Sequence, residues 1–325
     1  MSDALGVEWA VNEVPLVKFC VTFLITFAAN LIAIVTLSGR KCGLSKGVNL
    51  YLIAMAGADL LIVLIQVILD KLNRSYLRIV FFSYPPGCSI RDIIGSTAGT
   101  SSVWLTVTFT FDRMVAICFQ KLKRKFCTER NAAVIITTVS LLSLLNKIPV
   151  YFTYEPYYCK MTYEYFYYPA WIAFDWGDRI LTPVLPFFLI LLLNAVTDRH
   201  ILLDGAVRRK LRGQQNGDKP NDPEMKNRRR SIILLFAISG SFIVLWITRV
   251  ITLVIQRITG WYSRAPAGYW VGDRMGTMLQ LSSSCTNTFI YAVTQREFRE
   301  EMLNTVKYPF ITIQNSIKRW EQSWS

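Results

Sequence analysis

The chain has 325 residues, 52% of them hydrophobic, with a formal net charge of +14 and a mean hydropathy of +0.32. A water-soluble globule of this size needs more polar surface, so that class is excluded. Seven scattered cysteines without a CxxC pair exclude a disulfide scaffold and a zinc site.

The apolar residues come in seven blocks of about 20 residues or more, the length that crosses a bilayer as a helix. Lipid offers no hydrogen bonds, so helices are the default for such blocks. The blocks run Leu16–Ser38, Val48–Leu72, Cys88–Phe119, Ala132–Phe152, Phe174–Leu203, Ser231–Ile258 and Tyr269–Val293. The expected fold class is therefore an all-α membrane protein, a seven-transmembrane helix bundle over 16–293. Residues 1–15 form an N-terminal segment and 294–325 a tail.

The first 15 residues carry Asp3, Glu8 and Glu13 and lack a basic n-region and a small-residue cleavage site. The expectation is that no signal peptide is removed and that the first segment inserts the chain. Asn30 lies in the middle of that segment, and Asp59 lies deep in the second. A carboxylate there must be paired, solvated or protonated. Asn73-Arg74-Ser75 after the second segment is an N-glycosylation sequon.

The third segment opens at Cys88, carries Asp92, Gly95 and Gly99, and closes on Asp112-Arg113-Met114. An arginine at the edge of a membrane helix asks for a reason; snorkelling to the headgroups is the plain one. Lys121, Lys123, Arg124, Lys125 and Arg130 follow. Between the fourth and fifth segments, about 153–173, seven tyrosines flank Cys159, and the alternation around it suggests a short hairpin. The fifth segment contains Pro186, Asn194 and the single histidine, His200, which has no nucleophile or metal partner in view.

A basic stretch from Arg208 to Arg230 encloses the loop Gly213–Asn227, whose Gly, Pro, Asn and Asp content reads as flexible. The sixth segment places Phe242 and Trp246 four apart on one face, with Arg249 one turn beyond. The seventh ends in Asn287-Thr288-Phe289-Ile290-Tyr291. After it, Phe298, Met302 and Leu303 share one face of an amphipathic surface helix, and Trp320 and Trp324 close the tail. Most basic residues fall in the connections after segments one, three and five and after segment seven. The positive-inside rule puts these in the cytosol and the N-terminus outside, at the plasma membrane. Their partner is then anionic lipid rather than nucleic acid.

In the order and spacing of these motifs, from about Asn30 to Leu303, the chain resembles the rhodopsin-like (class A) G-protein-coupled receptors. The resemblance implies that Arg113, held by Asp112 at rest, meets the C-terminal helix of a heterotrimeric G protein. Asn287, Tyr291, Phe242, Trp246 and Pro186 would serve activation, with Trp246 the switch at the pocket floor. Cys88 and Cys159 match the family disulfide. Asp59 would hold a sodium ion or proton with Ser102, Ser283 and Asn287; a polar network that only ties helices is the other reading. No other cofactor is implied. Several positions depart from the family pattern: Met114 and Asn194 replace tyrosines, Thr248 and Thr288 replace prolines. Arg228 stands where relatives place an acid facing Arg113, so noticeable basal activity is expected.

A cation at Arg249, facing the bundle, needs an anion. Either a ligand carboxylate or an internal acid, Asp92, Asp175, Asp178 or Asp273, serves. Gly95 stands where amine receptors carry an aspartate, which argues against monoamines. Gly95 and Gly99 make the third helix thin, leaving room for a bulky group. Trp246 with Arg249, and the Phe174-Asp175-Trp176 stretch, look like the orphan branch responding to aromatic amino acids and short peptides. The expected ligand is zwitterionic and aromatic or peptide-like, contacted by Arg249, Trp246, Asp92 and Asp178. An enzyme is not expected, since no HExxH, GxSxG or phosphate loop occurs. A channel or transporter is the alternative from another class, and a chemosensory receptor is a variant within this one.

Overall fold

The computed structural model describes residues 21–39, 44–66, 68–69, 81, 84–155, 159, 161–212, 223–259, 266–294 and 296–307. Asn73, the segment 1–15, the loop 213–222, Trp320 and Trp324 lie outside the described residues. In chain order the helices are α1, Val21–Ser38; α2, Lys46–Val63; α3, Gly87–Cys118; and α4, Gln120–Phe126. Then come α5, Glu129–Lys147; α6, Tyr163–Tyr167; α7, Pro169–Arg179; and α8, Leu185–Arg212. The last are α9, Pro223–Thr259; α10, Ala267–Thr294; and α11, 296–307. Helices α7 and α8 join through the π-helical turn Ile180–Val184, so seven rods form the bundle, with α4, α6 and α11 outside it.

The rods are apolar outward. Leu24, Leu142, Leu145, Leu192, Val244 and Ile258 are each at least 60% exposed. In water such a ring would be a large apolar patch; in a bilayer it is solvated by lipid tails. The seven apolar blocks differ in how apolar they are. Five rods are apolar enough to span on length and composition, and α3 and α10 are not among them. For α3 the reason is position. Helix α3 packs against α2, α5, α8 and α9 at once, and 19 of its 32 residues are buried. Its hydroxyls need no water, because Thr106, Thr108 and Thr110 donate to carbonyls one turn back. Ser282, Thr286 and Thr277 do the same on α10. A central helix sees other helices rather than lipid, so it tolerates small polar residues that an outer one does not.

The fifth apolar block, Phe174–Leu203, is expected to form one helix. It breaks at Thr182, whose backbone leaves the helical region (φ −147°, ψ 106°), next to Pro183. Proline has no N–H to give the preceding turn, so the ladder opens there. Pro186 falls in the first turn of α8, where a missing N–H costs nothing.

One apolar core fills the Arg113 end, with Leu37, Tyr51, Leu52, Met55, Phe109, Tyr291 and Phe298 nearly or fully buried. A second, between α3, α8 and α9, holds Val103, Val107, Ile190, Phe242 and Trp246. At the other end Cys88 and Cys159 form a disulfide with Cα atoms 6.1 Å apart. Around Cys159, where a hairpin is expected, the described residues show an antiparallel bridge of Tyr154 with Met161, and the Thr162 N–H donates to the Thr153 carbonyl at 2.8 Å. On α11, Phe298 is fully buried and Met302 packs beside it, whereas Leu303 is 47% exposed.

Candidate functional site

Arg113 is nearly buried at the end of α3, its side chain 13% exposed, and its guanidinium pairs with Asp112. Its Cζ also lies 5.8 Å from the centre of the Phe109 ring, a cation–π contact worth about 0.5–1 kcal/mol. Phe109 in turn leans on Tyr51 of α2, ring centres 6.1 Å apart. Both restraints therefore come from α3 itself. Phe109 is the contributor that motif reasoning missed, although it stands one turn before Arg113, where a helix brings side chains together. Arg228 lies in α9, with its side chain outside the described residues.

Asp59, on α2, is 2% exposed and accepts a hydrogen bond from the Ser102 hydroxyl at 2.7 Å. Asn287 and Ser284 of α10 stand beside the carboxylate. Ser283 borders the same space, but its hydroxyl accepts from the Trp246 indole N–H at 3.0 Å and donates to the Gln280 carbonyl at 2.6 Å. Ser284 is a further neighbour of the carboxylate that sequence reasoning did not name. Its carbonyl also takes the Asn30 amide at 2.9 Å, which ties α1 to α10. The Asp59 Oδ2 atom is buried with no hydrogen-bond partner. Next to it, between Asp59, Ser102, Ser283 and Asn287, is a void of about 10 Å³. That is about one water-sized sphere, ringed by one carboxylate and neutral hard oxygens. A small hard cation suits such a donor set.

The aromatic chain runs from Phe187 on α8 to Phe242, ring centres 5.4 Å apart and edge to face, and on to Trp246 at 5.3 Å. Through the Ser283 bond this stack reaches the Asp59 void. The departures from the family pattern have local substitutes. Asn194 accepts from the Ser239 hydroxyl at 3.5 Å, linking α8 to α9. Thr288 donates across to the Ala29 carbonyl at 3.3 Å. Tyr291 is 2% exposed and its ring meets Phe298 at 5.9 Å.

Four acids were open as partners for Arg249, and the structure pairs it with Asp273 of α10. The others are engaged elsewhere. Asp92 takes Arg91 Nε at 2.8 Å and the Tyr154 hydroxyl of the disulfide-bearing loop. Asp178 pairs with Lys147 of α5. Asp175 takes Arg179 Nε at 2.8 Å, Arg257 Nε at 3.2 Å and the Tyr165 hydroxyl at 2.8 Å. Burial, then the Asp175 carboxylate, raises the Tyr165 hydroxyl well above the ordinary range, so it donates as a neutral phenol. The room expected beside Gly95 is already taken: a Cβ there would lie 2.8 Å from Ile65 Cγ2 of the second segment. Gly99 does face open space.

Residues 29–291 match the model of the family described as 7 transmembrane receptor (rhodopsin family). Over 151 residues the chain is 28% identical to a Drosophila melanogaster protein named Sex peptide receptor. The match covers 44% of this chain and 34% of that receptor, about a third of its length.

Proposed function

Because the chain belongs to the rhodopsin family of seven-transmembrane receptors, we propose that it passes the binding of an extracellular ligand to a heterotrimeric G protein that docks at Arg113. The distribution of basic residues supports an orientation with the Arg113 end in the cytosol and the disulfide end outside. The observation that carries the docking role is the local nature of the restraint on Arg113. An ion pair with the adjacent residue and one ring on the same helix hold it, so a side-chain rotation frees it without breaking a bond between helices. The buried stack Phe187–Phe242–Trp246 and the Ser283 bond connect the turn below Arg249 to the Asp59 void. Asp59, with Ser102, Ser283 and Asn287, would hold a sodium ion, which supplies a fixed positive charge between α2, α3 and α10.

The ligand proposed is a zwitterionic aromatic amino acid or short peptide whose carboxylate takes the place of Asp273 on Arg249, with its ring toward Trp246. The peptide half of this reading is supported by the name of the Drosophila relative. A panel of aromatic amino acids and short peptides, read through several G proteins in cells, tests it. Arg249→Ala should raise the half-maximal concentration at least about tenfold at unchanged surface expression, the loss of one charge-assisted pair. Asp273→Asn should lower it, because an internal competitor for the guanidinium is gone. Unchanged curves for both variants sink the assignment of Arg249.

A further inference from the structure

Between α3, α5 and α8, on the Arg113 side of the bundle, lies a crevice of about 660 Å³, within the range of small-molecule sites, about 300–1,000 Å³. Its walls are apolar, and Phe111, Val134 and Leu192, which border it, are 49%, 57% and 60% exposed. It therefore opens sideways, into the layer where lipid tails stand. Its polar groups are few: Asp112, Asn131 and Tyr51 among them. Tyr51 is fully buried and its hydroxyl has no hydrogen-bond partner.

What covers this crevice is indicated by the helix beside it. The α4 sequence is QKLKRKF and none of its residues is buried. The Asn131 amide donates to the Lys125 and Phe126 carbonyls, both at 3.1 Å, which fastens the end of α4 to the crevice rim. Lys121, Lys123, Arg124 and Lys125 are thus held exposed next to an apolar slot. The acids nearby are already engaged, Asp112 by Arg113 and Glu129 by Lys46 at 3.3 Å. Four exposed cations on a helix whose Phe126 borders an apolar slot match one kind of molecule, an anion with a hydrocarbon chain.

We propose that the crevice holds one acyl chain of an anionic phospholipid of the cytoplasmic leaflet, with its headgroup on the basic residues of α4. The inference rests on the orientation that puts the Arg113 end in the cytosol and not on any signalling activity. The full-length receptor in nanodiscs of phosphatidylcholine with a minority of phosphatidylserine supplies the test, with retained lipid counted by native mass spectrometry. The wild type should keep phosphatidylserine in preference to phosphatidylcholine. Replacing the α4 cations by glutamine should lower that preference about fivefold per charge. Val134→Trp, which fills the slot and leaves the charge, should abolish retention; Leu192→Trp does the same from α8 should the first variant fold poorly. Equal retention of both lipids by the wild type overturns the proposal. So does phosphatidylserine kept by the tryptophan variants, which would mean surface attraction alone, or a sterol retained in its place when one is added.

Discussion

Cys127 follows α4 and lies against the start of the Asp112-Arg113 pair; its Sγ is 3.5 Å from the Asp112 carbonyl oxygen. Burial first, and then the Asp112 carboxylate, push the thiol up to about 11 from an ordinary 9.0. A thiol with a raised value stays neutral until the pH approaches it, and only the thiolate reacts. At pH 8 its thiolate fraction is therefore about a hundredfold below that of an ordinary cysteine, from the two-unit difference. Maleimide labelling of Cys127 should be slow at pH 8 and rise about tenfold per pH unit until about 11; Asp112→Asn should speed it at fixed pH. A rate already level above pH 9 would contradict this account. Residue types were legible in the sequence at this scale, while their partners were not. Arg249 had four acids within reach of the argument, and only folding selects Asp273. Ser283 and Ser284 are adjacent, so a single-residue step of about 100° decides which borders the void and which stands beside the carboxylate. A spacing rule cannot resolve that step.

Helix α9 runs unbroken for 37 residues, with Thr248 where the family resemblance leads one to expect proline. Its close partner is α10, at Gly276. A Cβ on Gly276 would lie 3.0 Å from both Cα and N of Arg249 and 3.3 Å from the Thr248 carbonyl carbon. All three are backbone atoms, so the helices must separate to admit even a methyl group. Gly276→Val should destabilise the purified receptor by about 1–3 kcal/mol, the usual range for overpacking, seen as a fall in Tm. Gly99→Ala, where a Cβ meets nothing within 4 Å, should be neutral or slightly stabilising. Equal Tm for Gly276→Val and the wild type would show that α9 and α10 slide freely. The elements themselves were mostly legible, because each spanning rod leaves a long uncharged block. What the blocks hid was the break at Pro183, since hydropathy does not register a missing N–H, and the interior position of α3, since burial among helices and burial in lipid select different residues.

Across the molecule, the Asp59 void is bordered by α2, α3, α9 and α10, and the Ser283–Trp246 bond ties the last two together beside it. A cation bound there holds four rods in one arrangement, and a ligand that binds only the folded state stabilises it, by about 2.7 kcal/mol at a hundred times its Kd. Sodium chloride should therefore raise Tm relative to choline chloride at equal ionic strength, and Asp59→Asn should remove the difference. The same Tm in both salts would leave the polar-network reading in its place. The contact between Tyr291 and Phe298 has a consequence at this scale too. Phe298 is fully buried, so the end of α10 cannot shift without carrying α11 along. Coupling of this kind is reciprocal. A bilayer whose lateral pressure favours one seat for α11 must favour the matching position of Tyr291 by the same factor, which would make the membrane itself an effector of the bundle.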